Sequence, residues 1–210
     1  MSQIIPAILT ADPITLKSMV RQAETFTDWI QLDIMDGIFV PSKSVIVADI
    51  EAVSPLLGWE AHLMVSSPEN YIANFKKAGA QKIVFHYEAT QHPQKVIAKA
   101  RENDLMVGLA VNPDTPLSAI LSLVGNLDSV LFLSVYPGYY GNEFIPKVLE
   151  KISEFRTALP DMETGIDGGV KENNIVEISQ SGVDCIYVGS AIFLQNNPAD
   201  SYYRLQKLIK

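Results

Sequence analysis

Short apolar runs alternate with longer amphipathic segments along the whole chain. Eight runs read as strands: QIIPAIL, WIQLDIM, WEAHLMV, KIVFHY, LMVGLAV, SVLFLSV, METGID and CIYVGS. The segments between them read as helices. DPITLKSMVRQAETF opens with Asp12 as a candidate N-cap and Pro13 at the first helical position. SPENYIANFKKAGA has Ser67 as its cap, Pro68 next, and Gly79 just past its end. Further helices are expected over roughly Pro93–Glu102, Pro116–Val124, Pro146–Leu159, Glu172–Gln180 and Pro198–Leu208.

The strands recur every roughly 22 to 34 residues, the length of one strand, one helix and two short loops. Eight such units leave two architectures, a closed (β/α)8 barrel or an open doubly wound sheet. An open sheet that binds a dinucleotide often carries G-x-G-x-x-G after its first strand. Here the first strand leads to AILTADP, which has no glycine. The barrel is the expected fold. No linker, charge block or low-complexity tract divides the chain, so residues 1–210 are expected to form one barrel domain.

Polar residues interrupt these apolar runs at particular places. WIQLDIMDG carries Gln31, Asp33 and Asp36. Residues two apart share one face of a strand, so Gln31 and Asp33 point the same way and Leu32 and Ile34 face the helices. The third strand ends with His62, the fourth with His86 and the seventh with Asp167. Taken singly, each has a plain structural explanation: a strand-end Asp caps or turns, and a lone His is a hydrogen-bonded core group. Asp36, before Gly37, is read that way, as a turn residue. In a barrel, however, the C-terminal strand ends meet at one mouth. A buried carboxylate is costly unless it is paired, hydrogen-bonded or metal-bound. Asp33, His62 and Asp167 together therefore point to a site.

Glycines form a second cluster. Asp167–Gly169 reads DGG after the seventh strand, and VGSAIF ends the eighth. Barrels often hold phosphate at these two loops with backbone N–H groups, and glycine lets the backbone come close. YPGYYGNEF, after the sixth strand, is placed to close over the same corner.

Composition narrows the function classes. Apolar residues make up 48% and charged residues 19%, as in a compact enzyme. The net charge of −8 repels phosphate backbones, so nucleic acid is not an expected partner. No apolar run is long enough to span a membrane, and the start, MSQIIPAILTAD, lacks the basic and long apolar regions of a leader. Cys185 is the only cysteine, which excludes an intrachain disulfide and fits a reducing cytoplasm.

The stretches PAILTAD, WIQLDIMDGIFVP, HLMV, NPDTP, SVYPGYYGNEFIPKVLEKI, IDGGV and VGSAIF resemble the ribulose-phosphate 3-epimerase family, in order and along nearly the whole chain. The resemblance implies an α/β fold, a (β/α)8 TIM barrel of the ribulose-phosphate-binding type. It also implies inversion of C3 in a phosphorylated ketose, D-ribulose 5-phosphate to D-xylulose 5-phosphate by default. Asp33 and Asp167 match the two acid/base carboxylates, working through an enediolate. Asp33, His62 and Asp167 match ligands of a divalent metal (Zn, Mn, Fe or Mg) that polarises the C2 oxygen. Met35 and Met64 match sulfur-bearing residues lining the site. Gly168, Gly169, Gly189 and Ser190 match phosphate-binding positions, and Gly141 and Asn142 match the loop after strand six. A homo-oligomer is the implied assembly.

The departures are local. Gln31 stands where the family has a metal-binding His. Ala7 replaces the serine of P-S-I-L-S. Tyr136 and Tyr140 depart from N-P-G-F-G-G-Q, and Leu133 stands where a methionine is usual. A carboxamide oxygen is a harder, weaker ligand than imidazole, so the expectation is a site weakened for zinc. Either Gln31 remains a ligand, or the metal is lost and Gln31 donates a hydrogen bond to the enediolate. These changes keep two alternatives open: an epimerase of another phosphorylated pentulose or hexulose, and a non-catalytic sugar-phosphate-binding homologue. A barrel decarboxylase is disfavoured, because the third strand, EAHLMV, lacks the lysine of D-x-K-x-x-D.

Overall fold

The computed structural model describes residues 2–138 and 142–210. Eight parallel strands close into a barrel in chain order: β1 (Gln3–Ile8), β2 (Trp29–Met35), β3 (Gly58–Met64), β4 (Lys82–His86), β5 (Met106–Val111), β6 (Ser129–Leu133), β7 (Glu163–Asp167) and β8 (Cys185–Val188). β1 pairs with β8 from Gln3–Cys185 to Pro6–Val188, so no sheet edge is left open.

Among the described residues, eight α-helices surround it: α1 (Pro13–Ala23), α2 (Val47–Val53), α3 (Ile72–Lys77), α4 (Pro93–Glu102), α5 (Lys147–Ala158), α6 (Ile175–Gln180), α7 (Ser190–Phe193) and α8 (Pro198–Leu208). Asp12 caps α1, accepting from Ile14 N and Thr15 N, and Gly79 follows α3 with φ +100°. Ser67 makes no cap bond; a 3-10 turn at Pro68–Asn70 intervenes before α3. α6 starts at Ile175 because Lys171–Asn174 is a turn, in which Asn174 Oδ1 accepts from Lys171 N at 2.8 Å.

Two elements differ from expectation. The helix expected over 116–124 is a series of i→i−3 turns, among them Ala119 N to Pro116 O and Leu123 N to Ile120 O. Leu117, Ile120 and Leu123 turn inward three residues apart, which is the period of a 3-10 helix. α2, at Val47–Val53, lies in a stretch to which no element was assigned. Its start is fixed from inside the helix, where Asp49 Oδ2 accepts from Ile46 N at 2.9 Å.

Side chains on each strand alternate between two cores. Leu32, Ile34, Leu63, Ile83 and Phe85 face outward, where Leu16, Val20, Ile50 and Phe75 of the helices bury them. Ile5, Ala7, Val84, Ala110, Leu131, Leu133 and Tyr187 fill the barrel interior. Toward the N-terminal strand ends the interior is ionic. Lys82 Nζ lies 3.3 Å from Glu60 Oε2 and 3.1 Å from Glu163 Oε1.

Cys185 packs beside this interior cluster. Burial, together with the charge of Glu163, pushes its thiol up to about 12. The thiolate is the reactive form, so iodoacetamide at pH 8 is expected to modify the native protein at least about 100-fold more slowly than a free thiol. Unfolding in guanidinium should restore normal reactivity. Rapid labelling of the native chain would contradict this packing. Among the described residues, no helix is long and apolar enough to cross a membrane.

Candidate active site

The strand register builds the site. β2 and β3 pair with Asp33 beside His62, and β7 sits between β6 and β8 with Asp167 beside Leu133 and Tyr187. Asp33, His62 and Asp167 point into the barrel at its C-terminal mouth, where β2 and β7 stand three strands apart.

Four groups meet there. Gln31 Nε2 donates to Asp33 Oδ1 at 2.9 Å and to Asp167 Oδ2 at 2.8 Å. His62 Nδ1 lies 2.9 Å from Asp33 Oδ1 and 3.5 Å from Asp167 Oδ2. Two nitrogens thus bridge two carboxylates that would otherwise repel each other. Gln31 is fully buried, His62 1% exposed and Asp33 9%. Ser134 fixes the end of β7, its hydroxyl donating to Asp167 O at 3.0 Å and Gly168 O at 2.6 Å.

Burial is the main force on these groups' protonation. It raises Asp33 above the usual carboxylate range, the charge of Asp167 adds to the rise, and hydrogen bonds from His62 and Gln31 moderate it. Burial disfavours the imidazolium of His62, but the hydrogen bonds and charges of Asp167 and Asp33 outweigh it and raise the ring. His86 is lowered, by burial first and by the charge of His62, against the pull of Glu88. A carboxylate that holds its proton to unusually high pH, beside a second carboxylate and an imidazole, is the equipment for moving a proton on carbon.

The cleft around the cluster is narrow, with a cavity volume of about 90 Å³, and is open at its mouth. Met35, Met64, Ala7, Leu9, Leu133 and Val135 form its apolar wall. Asn142, Gly168, Gly169, Gly189 and Ser190 line the other side. Gly168 (φ +112°) and Gly169 (φ +65°) have left-handed backbones, and a Cβ on Gly168 would come within 2.4 Å of Val135. The expected lining residues therefore come together; Gly141, like Tyr140, lies outside the described residues. Asp36 is a turn residue, as expected: its carboxylate accepts from Ile38 N, Phe39 N and Ser66 N, and Gly37 has φ +76°.

The family model for the ribulose-phosphate 3 epimerase family matches residues 3–193. The chain belongs to the ribulose-phosphate 3-epimerase family. It is 36% identical over 207 residues to the ribulose-phosphate 3-epimerase of Synechocystis sp., covering 94% of this chain and 90% of the relative. It is also 36% identical over 200 residues to that of Escherichia coli, covering 91% and 89%. The fold extends further than the family. The 3-hexulose-6-phosphate synthase of Salmonella typhimurium superposes with a TM-score of 0.78 at 15% identity, over 99% of this chain and 98% of that one.

The donor set fits a divalent cation. Asp33, His62 and Asp167 offer one ligand atom each, all within 4.8 Å of one another. Gln31 Oε1 is buried with no hydrogen-bond partner among the described residues. Turning the carboxamide over would aim that oxygen at the same point as a fourth donor, a hard one that suits Mg or Mn better than Zn. The sequence reading missed Glu88 and Ser134. The signal for Glu88 was available, two residues beyond His86 in FHYE.

Proposed function

We propose that this protein is a sugar-phosphate 3-epimerase that interconverts D-ribulose 5-phosphate and D-xylulose 5-phosphate. The observation that carries the reading is the pair Asp33 and Asp167, held across the barrel mouth by Gln31 and His62 at hydrogen-bond distance.

Inversion at C3 requires removing a proton from one face of the carbon and returning one to the other. A single base cannot reach both faces without moving, whereas carboxylates on β2 and β7 face each other. One carboxylate, ionised, takes the C3 proton; the other, protonated, delivers its own to the opposite side of the enediolate. The raised Asp33 suits both duties, because a carboxyl group that holds its proton more tightly is also a stronger base when ionised. The N–H groups of His62 and Gln31 hold both carboxylates in line. Met35, Met64, Leu133 and Val135 exclude water from the enediolate's apolar side. Backbone groups of Gly168, Gly169, Gly189 and Ser190, with the loop at Asn142, are assigned to the phosphate. A divalent cation, when held by Asp33, His62 and Asp167, supplies positive charge for the developing C2 oxyanion.

A panel of ketose phosphates monitored by NMR tests the substrate. Ribulose 5-phosphate is expected to turn over with the highest kcat/KM. A clear preference for another pentulose or hexulose phosphate would overturn this choice. No turnover of any of them would favour the non-catalytic alternative.

The metal reading has its own test. With Gln31 in place of an imidazole, protein purified without chelator is expected to hold well under one zinc per chain. Gln31→His is expected to raise zinc affinity at least about tenfold, the equivalent of about 1.4 kcal/mol. Stoichiometric, tightly held zinc in the unmodified protein would refute the weakened site.

A further inference from the structure

The loop after β6 is held by a side chain that the mechanism does not use. Ile145 N donates to Ser134 O at 2.8 Å and closes the base of the loop. Asn142 Nδ2 donates to Tyr136 O at 2.7 Å and ties one limb to the other. The Tyr136 hydroxyl then donates to Asp114 Oδ2 at 2.5 Å, in the loop after β5. Tyr136 is 53% exposed, so this bond, rather than burial, fixes its ring.

Asp114 is a firm anchor because its neighbours are held from several directions. Glu88 Oε1 accepts from Asn112 N at 2.9 Å and from the Thr115 hydroxyl. Lys151 Nζ, on α5, donates to Asn112 O and to Pro113 O, both at 3.1 Å. Thr115 N donates to Asn112 O at 3.1 Å, closing the turn on which Asp114 stands. On the far side, Gly138 (φ +123°) lies against the loop after β2, where a Cβ would come within 3.2 Å of Val40 Cβ. Pro137, Gly138 and Asn142 line the active-site cleft, whereas Tyr136 lines a separate groove beside α5. The asparagine of N-P-G-F-G-G-Q has too short a side chain to reach Asp114, so the anchor is one of this chain's departures from that motif.

We propose that Tyr136, anchored on Asp114, is a positioning residue for Asn142: it fixes the carbonyl that the Asn142 carboxamide holds, and so fixes where that carboxamide meets the substrate's phosphate. This rests on the reading of Asn142, Gly168, Gly169 and Gly189 as the phosphate corner. A carboxamide nitrogen carries two hydrogens. Tyr136 O takes one, which leaves the other for a phosphate oxygen. The phosphate lies away from C3, so this contact is the same in the ground state and the transition state. Its loss therefore falls on KM and not on kcat.

The test is Tyr136→Phe, which keeps the ring and the backbone carbonyl and removes only the hydroxyl. Any change at Asn142 is then transmitted through the loop. In 1H–15N spectra of the substrate-free protein, the two side-chain amide protons of Asn142 are expected to be well separated in the wild type. In Y136F and in Asp114→Ala they should move toward the positions of a free amide. Asp114→Asn, whose oxygen still accepts from the tyrosine, should keep the wild-type signals. In ribulose 5-phosphate turnover, KM is expected to rise about 3–10-fold in Y136F and D114A, the usual worth of one hydrogen bond. Their kcat should stay within about twofold of wild type, and D114N should keep the wild-type KM. The double variant Y136F/D114A should be no worse than either single one, because both remove the same bond.

Unchanged Asn142 signals in Y136F would overturn the proposal. So would altered signals with an unchanged KM, or losses that add in the double variant. Because the amide signals are read without substrate, they report on the anchor even if the true substrate is another ketose phosphate. A protein that turns over no ketose phosphate but shows the Asn142 response would fail the epimerase reading and keep the anchor.

Discussion

Asp33→Asn and Asp167→Asn are each expected to lower kcat by about 10²–10⁴-fold, the usual contribution of a positioned acid or base. The loss should not come from unfolding. Asp33 is buried, and its folded pKa is raised above the unfolded value. A carboxyl shifted in that direction contributes stability at low pH and loses it as pH rises through the folded pKa. At neutral pH its ionised form therefore weighs against the fold. The amide removes that charge and keeps an oxygen to accept from His62 and Gln31. D33N should then melt at or above the wild-type temperature while turning over far more slowly. A variant that melts normally and keeps near-normal turnover would remove its carboxylate from the mechanism.

The second large effect is on stability. Lys82→Met is expected to cost about 3–5 kcal/mol, the usual penalty for stripping a buried charge of its partner. That is a large share of the roughly 5–15 kcal/mol that holds a typical domain together. Glu60 is 1% exposed, and its Oε1 has no hydrogen-bond partner among the described residues, so Lys82 is its main compensation. In the wild type, burial disfavours the ammonium, but Glu60 and Glu163 outweigh this and raise Lys82. Its contribution is present below its unfolded pKa and is lost only as pH rises through the raised folded value. Without it, a carboxylate is left buried with no cation beside it, a cost that falls in acid, so K82M should be less destabilised at pH 5 than at pH 8. Urea unfolding at the two pH values measures this. An equal deficit at both would show that the buried charge is not what destabilises the variant.

Much of this was legible in the sequence, for identifiable reasons. Period-two alternation put Gln31 and Asp33 on one face and Leu32 and Ile34 on the other. Closing the barrel carried strand ends far apart in sequence, at Asp33, His62 and Asp167, to one mouth. What stayed hidden depended on register or on loop geometry. The bridge that Gln31 makes between two carboxylates needs β2 and β7 in their final positions, and only Asp33 is local to it. Glu88 stands two residues beyond His86 in the sequence, but the 3-10 turn that brings its carboxylate toward that ring does not show there. The short helix α2 went unassigned, and the turns over 116–124 were expected as a helix, because propensity is weak where a segment is short and packing decides.

Proton exchange at C3 tests the central claim most directly. In D2O, each D-xylulose 5-phosphate formed from D-ribulose 5-phosphate should carry one deuterium at C3. The label enters because the carboxyl group that reprotonates C3 has equilibrated with solvent. Product without deuterium at C3, or a complete absence of exchange in every ketose phosphate tried, would contradict the two-carboxylate account.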